Sequence, residues 1–245
     1  FGVGANGPEV PKRQWLPSMG TGETLGCFGL TEPDHGSDPA KMGTRARRDG
    51  DSDTADWVLI GSKMWITNGS VADVAVIWAQ TDNGIRGFVV PTDAPGFSAR
   101  LIKHKMSLRA SVTSELVLDN VRLPHDAVFP EVRGLIGPLS CLNEARYGIV
   151  WGAMGAARSS FQTALEYAGQ REQFGRPISG FQLTQSKLAG MAVELTTGTL
   201  LALHPGRRKG RVGLRPEQVS IGTLNNVAQE LETCRHARTT HGAQR

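Results

Sequence analysis

The apolar positions of this chain change their period along its length. Runs at 25–30, 57–60, 74–79, 86–90 and 115–118 are short, rich in Val, Ile, Leu or Trp, and bounded by Gly, Pro, Asn or Asp. That pattern predicts short strands separated by turns. Several such strands at close spacing predict a compact antiparallel sheet or barrel, whose loops are natural ligand positions. Ahead of them, residues 11–19 read as the tail of a short helix. After Pro124 and Pro130 the period lengthens. Over 138–169, small and apolar residues recur at three and four: Leu142, Ala145, Ile149, Ala153, Ala156, Ala164 and Tyr167. Gly148, Gly152 and Gly155 each lower helix propensity by up to about 1 kcal/mol. Their turn-by-turn spacing predicts close packing against a neighbour or a ligand. Gly175 and Pro177 break the chain. A second helix carries Leu188, Met191 and Leu195 on one stripe and is predicted to end at Pro205-Gly206. A third opens near Pro216, a favoured first-turn residue, and runs to about residue 238. The fold class is therefore α+β: a helical tail over 1–20, a β domain over 21–128, and a long-helix domain over 129–245.

Composition narrows the class. At 245 residues, 39% hydrophobic and 20% charged, the chain holds enough apolar surface for one large or two ordinary cores. No run of 18 apolar residues exists, so no membrane span is expected. The start, Phe1-Gly2-Val3-Gly4-Ala5-Asn6-Gly7, has neither the basic nor the apolar region of a signal peptide. It also lacks an initiating Met, so a piece of a longer chain is expected. The net charge of +4 is concentrated in Arg207, Arg208, Lys209, Arg211 and Arg215. The cluster reads as a solvated loop between helices, and no aromatics interleave with it, so nucleic acid is not expected as a partner. Cys27, Cys141 and Cys234 are scattered and odd in number, which points to reduced thiols in a cytosol-like compartment. Cys234, His236 and His241 match no zinc-ligand spacing, so no metal is assigned.

The candidate chemistry sits where the first strand ends. The segment Cys27-Phe28-Gly29-Leu30-Thr31-Glu32-Pro33-Asp34-His35-Gly36-Ser37-Asp38 leaves an apolar run through two successive turns. Such an exit presents backbone N–H groups and small hydroxyls to a ligand. A second cluster, Lys63-Met64-Trp65-Ile66-Thr67-Asn68, ends in an Asn-Gly turn signal, and a third, Arg171-Glu172-Gln173-Phe174-Gly175, lies between two helices. In that order these clusters resemble the acyl-CoA dehydrogenase family of flavoenzymes, over almost the whole chain from about Trp15. The phrase from Cys141 to Ile149 and the run Ser107-Leu108-Arg109-Ala110-Ser111 are similar to the glutaryl-CoA branch of that family. His35 departs from it, standing where a small residue is usual, but leaves the Gly36-Ser37-Asp38 turn intact.

The resemblance implies a specific architecture and chemistry. The fold would be acyl-CoA dehydrogenase-like, a central antiparallel β domain followed by a long-helix bundle, with an N-terminal helical domain and the last bundle helices missing. Three long helices without a fourth would leave an apolar face open. The reaction would be α,β-dehydrogenation of an acyl-CoA thioester with FAD as hydride acceptor, and for the glutaryl branch oxidative decarboxylation to crotonyl-CoA. Alternatives are another short- or branched-chain acyl-CoA dehydrogenase, or a non-catalytic homologue kept for assembly. By resemblance, Phe28, Leu30, Thr31, Trp65, Ile66 and Thr67 contact flavin. Arg171, Phe174 and Gln182 reach the FAD of a neighbouring subunit in a homotetramer. Ser37 and Arg146 contact the CoA portion, and electron-transfer flavoprotein receives the electrons. The compartment would be the cytoplasm in a bacterium and the mitochondrial matrix in a eukaryote. No catalytic base is assigned. The family's usual Tyr-Glu-Gly-Thr run does not occur in this sequence, and the alternative position is Ala145. Glu144 stands about 100° away around a helix.

Overall fold

The computed structural model describes residues 1–242. The chain divides into two compact units, one from Phe1 to Cys141 and one from Leu142 onward. The division falls after residue 128 because the first residues after the β region pack on the sheet. A Cβ at Gly137 would run into the ring of Trp78.

In the first unit, two short helices, α1 (Gly2–Asn6) and α2 (Glu9–Thr21), precede seven strands. These are β1 (Gly26–Gly29), β2 (Arg45–Arg48), β3 (Trp57–Thr67), β4 (Val74–Thr81), β5 (Gly84–Pro91), β6 (Phe97–Leu101) and β7 (Thr113–Leu123). All five predicted runs fall on strands. β2 and β6 escape the sequence reading, because Arg45–Arg48 is mostly charged and Phe97–Leu101 is largely exposed. The sheet order is β1-β4-β2-β3-β7-β6, with β5 on the other edge of β4. The sheet is mixed and not purely antiparallel as expected: β1 and β2 both run parallel to β4. They pair with the same edge of β4 in succession, β1 along Val74–Ile77 and β2 at Gln80. The chain between them, residues 30–44, therefore leaves the sheet and returns to it. One face buries Leu59, Ile77, Phe88, Leu116 and Val121. The other carries an aromatic group in which Trp78 meets Phe28 edge-on at 6.3 Å and Phe129 at 5.6 Å.

The long helices are α3 (Ile136–Gln170), α4 (Gln182–Val212) and α5 (Pro216–His241); a small hairpin of β8 (Glu172–Gln173) and β9 (Arg176–Pro177) follows α3. Leu188 and Met191 are buried as the stripe predicts. Two expectations fail. α4 does not stop at Pro205 but runs through it. The basic cluster, from Arg207 to Arg211, is therefore the last turns of a helix and not a loop. Tertiary contacts hold those turns: Lys209 pairs with Glu144 and lies over the Tyr147 ring. Tyr147 also donates to the Ala202 carbonyl at 3.4 Å, just ahead of the proline. Among the described residues, a Cβ at Gly148, Gly152 or Gly155 meets nothing within 4 Å, so these glycines are not where the three helices approach one another. α3 instead buries Val150, Ala153, Met154 and Ala157. Tight approaches are at Gly198, against Met154 and Asn226, at Gly206, against the Tyr147 hydroxyl, and at Gly222, against Val150. Asn226 is fully buried and donates to Val150 O at 3.1 Å and Gly198 O at 3.0 Å, so one amide joins all three helices. The outer side of α5 carries exposed Ile221, Leu224, Val227 and Leu231.

Candidate functional site

In the first unit the site is built by an irregularity in β3. Lys63 pairs with Leu116 of β7, and Ile66 pairs with Ser114. Three steps on one strand therefore answer two on the other, which is a β-bulge. Side chains alternate along a regular strand, so residues three apart normally face opposite ways. The bulge puts Lys63 and Ile66 on the same buried face and turns Trp65 and Thr67 outward. Trp65 takes up the extra residue at φ +63°, in the left-handed region that a bulky side chain rarely visits. The residue is 61% exposed. A large apolar ring held outward by backbone strain is the kind of outlier that accompanies ligand sites.

The turn after β1 is fastened to this bulge. Met64 N–H donates to Thr31 O at 2.8 Å. Lys63, wholly buried, donates from Nζ to Leu30 O at 3.2 Å and to Glu32 Oε1 at 2.8 Å. Glu32 also accepts from Gly43 N–H at 2.6 Å and Thr44 N–H at 3.0 Å. Burial pushes the Glu32 carboxyl up, but Lys63, Thr44 and the Gly43 amide outweigh it and hold it below the ordinary carboxylate value. Burial lowers Lys63, with Glu32 opposing.

Of the expected flavin residues, Leu30 and Ile66 are core side chains, and Phe28 is half-buried against Trp78. Leu30 and Ile66 could face a ligand only through their backbone, and Leu30 O is already engaged by Lys63. Thr31 is half-buried and Thr67 exposed. The hydroxyls of Thr31, Thr67 and Ser37 have no hydrogen-bond partner among the described residues. Ser37 is exposed on the 30–44 loop. An outward indole beside unpartnered hydroxyls suits a flat heteroaromatic ring with polar edges, so this unit fits a flavin. Glu32 and Lys63 lie inside the same two motifs, and the sequence pattern alone gives them no role. The available signal was a charged Lys within an apolar strand pattern.

In the second unit, Arg171, Phe174 and Gln182 are all exposed around the β8–β9 hairpin. Phe174 and Gly175 form its turn with φ of +53° and +75°, the signs a type I′ turn requires. Asn or Gly is favoured there, yet this chain has a Phe that is 94% exposed. Phe181, ahead of α4, meets Phe174 edge-on at 6.2 Å and carries the Arg176 guanidinium 4.2 Å above its ring. Arg171 has no ion-pair partner among the described residues, which leaves its guanidinium fork available to an anion. Arg146 stands about 35 Å back along α3 at 1.5 Å per residue. It does not pair with Glu144, two residues before it. Its Nη2 donates to Ser220 of α5 at 2.8 Å, while Glu144 is taken by Lys209. Ala145 is exposed and bears no acid. Among the described residues no cluster of His, Cys, Asp and Glu could hold a metal ion.

Comparison with known proteins adds the following. The model of the acyl-CoA dehydrogenase middle domain matches residues 27–121, and that of the C-terminal domain matches residues 133–244. A mitochondrial short-chain specific acyl-CoA dehydrogenase of Bos taurus is 38% identical over 201 residues, covering 80% of this chain and 48% of that protein. A glutaryl-CoA dehydrogenase of Desulfococcus multivorans is 38% identical over 210 residues, covering 83% and 53%. Among solved structures, a glutaryl-CoA dehydrogenase from Mycobacterium smegmatis superposes with a TM-score of 0.93 at 65% identity, over 99% of this chain and 62% of that one. A second from the same species, in complex with FADH2, gives 0.94 at 60%, over 100% and 62%. The chain thus spans about half the length of the curated relatives it matches.

Proposed function

This chain belongs to the acyl-CoA dehydrogenase family, flavin-dependent oxidoreductases acting on CH–CH donors, and we propose that the protein containing it oxidises an acyl-CoA thioester, with glutaryl-CoA as the substrate. The observation that carries the choice of substrate is the likeness, at 60–65% identity, to glutaryl-CoA dehydrogenases. FAD, when bound, supplies the hydride acceptor. The outward Trp65 indole would cover one face of its ring and exclude water. The free hydroxyls of Thr31 and Thr67 would orient its polar edge, and Ser37 would hold the thioester's carrier. Abstraction of the weakly acidic α-proton needs a carboxylate base and donors on the thioester oxygen. Ala145 cannot be that base, and none is assigned in this chain.

Arg171, Phe174 and Gln182 complete, in this reading, the FAD site of another subunit in a homotetramer. Their exposure and the outward apolar row of α5 support burial by further protein. Electron-transfer flavoprotein is the proposed electron acceptor. Three unpaired thiols support a reducing, cytoplasmic setting. A second reading, oxidation of a short-chain acyl-CoA without loss of CO2, is favoured by the likeness to short-chain specific enzymes. Assaying the full-length protein with glutaryl-CoA and butyryl-CoA and an artificial acceptor separates the two. Faster flavin reduction by glutaryl-CoA with CO2 release supports the first. Preference for butyryl-CoA supports the second.

A further inference from the structure

The 30–44 loop is fixed to one short stretch of β3 at both ends. At its start, Thr31 O accepts from Met64 N–H, and Leu30 O from Lys63 Nζ. At its end, Thr44 Oγ1 donates to Ser62 O at 3.2 Å. Thr44 also lies so close to Gly61 that a Cβ on that glycine would meet its side chain and Cα. Gly61 itself sits at φ +150° beside a second register shift in β3. A single carboxylate, Glu32, spans the loop by binding Lys63 at one end and the amides of Gly43 and Thr44 at the other. Buried ion pairs are costly to desolvate, and apolar side chains of similar size often serve stability as well. Stability alone is therefore a poor reason for this pair. Its position is specific: Lys63 is two residues before the strained Trp65, and Ser37 is carried within the loop that Glu32 closes.

We propose that Lys63 and Glu32 are positioning residues, which set the loop bearing Thr31 and Ser37 in register with the bulge bearing Trp65, so that the Thr31 hydroxyl and the indole meet one flavin and Ser37 stands beside it for the substrate. This rests on the flavin reading above. The pair touches no ligand and acts through the backbone of Leu30, Thr31 and Met64. Removing its charge while keeping its size should leave a folded protein whose flavin site is out of register.

The test uses the full-length protein and the double variant Lys63→Met/Glu32→Gln. Both are followed by thermal denaturation of the apoprotein, FAD titration and the visible spectrum of bound flavin. The expected result is an apoprotein melting close to wild type, FAD affinity reduced at least tenfold, and a displaced flavin absorption band. Wild-type affinity and spectrum in the folded variant overturn this inference alone. A wild type that takes no FAD overturns the flavin reading together with it. Should the double variant not fold, hydrogen exchange of the wild type with and without FAD decides. Slower exchange of the Gly43, Thr44 and Met64 amides on binding supports the coupling, and unchanged exchange there overturns it.

Discussion

Lys63 Nζ lies 2.8 Å from Glu32 Oε1, inside the sheet unit, and both side chains are buried. The pair joins the strand that displays Trp65 to the turn that displays Thr31. Every contact it makes is charge-assisted, and breaking one partner would leave the other as an uncompensated buried charge.

Acid should undo this contact. Glu32 is held below the ordinary carboxylate value of 4.5, so the unfolded chain binds its proton more tightly than the folded one. The stabilisation is then fully present above about pH 4.5 and is lost as pH falls through the lower folded value. Denaturation midpoints of the full-length protein and its Glu32→Gln variant, measured from pH 7 to pH 3, should differ most at neutral pH and converge in acid. A constant gap would show that Glu32 is not the titrating group.

Phe174 should separate stability from function. Its left-handed backbone costs a non-glycine residue about 1 kcal/mol, and its exposed ring recovers little within its own unit. Phe174→Asn relieves the turn and is expected to leave stability equal or raised by up to about 1 kcal/mol, while FAD binding weakens. Loss of stability with unchanged FAD affinity would make Phe174 a packing residue only.

Arg171→Ala should weaken FAD binding about tenfold, equivalent to about 1.4 kcal/mol, through loss of a charge-assisted contact. A surface charge without a ligand would change stability by less than about 0.5 kcal/mol and leave the cofactor alone. FAD dissociation constants, with mass determined by light scattering, distinguish the two outcomes.

Asn226→Ala should destabilise the helical unit by about 2 kcal/mol, since it removes both donations from a buried amide and leaves a small cavity. Ser220→Ala, on the same helix but only half-buried, should cost less. Equal denaturation midpoints for the two variants would contradict the bridging role of Asn226.

Local pattern was enough to read the strand runs, the three long helices and the clusters around Thr31, Trp65 and Arg171. Those features rest on period, on turn residues and on the order of short motifs, all of which are properties of neighbouring residues. The mixed sheet was not legible. That β1 and β2 share one edge of β4 depends on pairing between residues about fifty and thirty-five positions apart. Pro205 reads as a helix end from propensity, and only Lys209, Glu144 and Tyr147, brought together across two helices, keep the helix going. The spacing of the α3 glycines says that they share a face, but not that the three helices meet at Gly198 and Gly222 instead. The same holds at the site. Sequence supplied Trp65 and Thr67, but the bulge that turns them outward, and the Lys63–Glu32 contact that ties them to Thr31, exist only once β3 is paired with β7 and set beside the turn after β1.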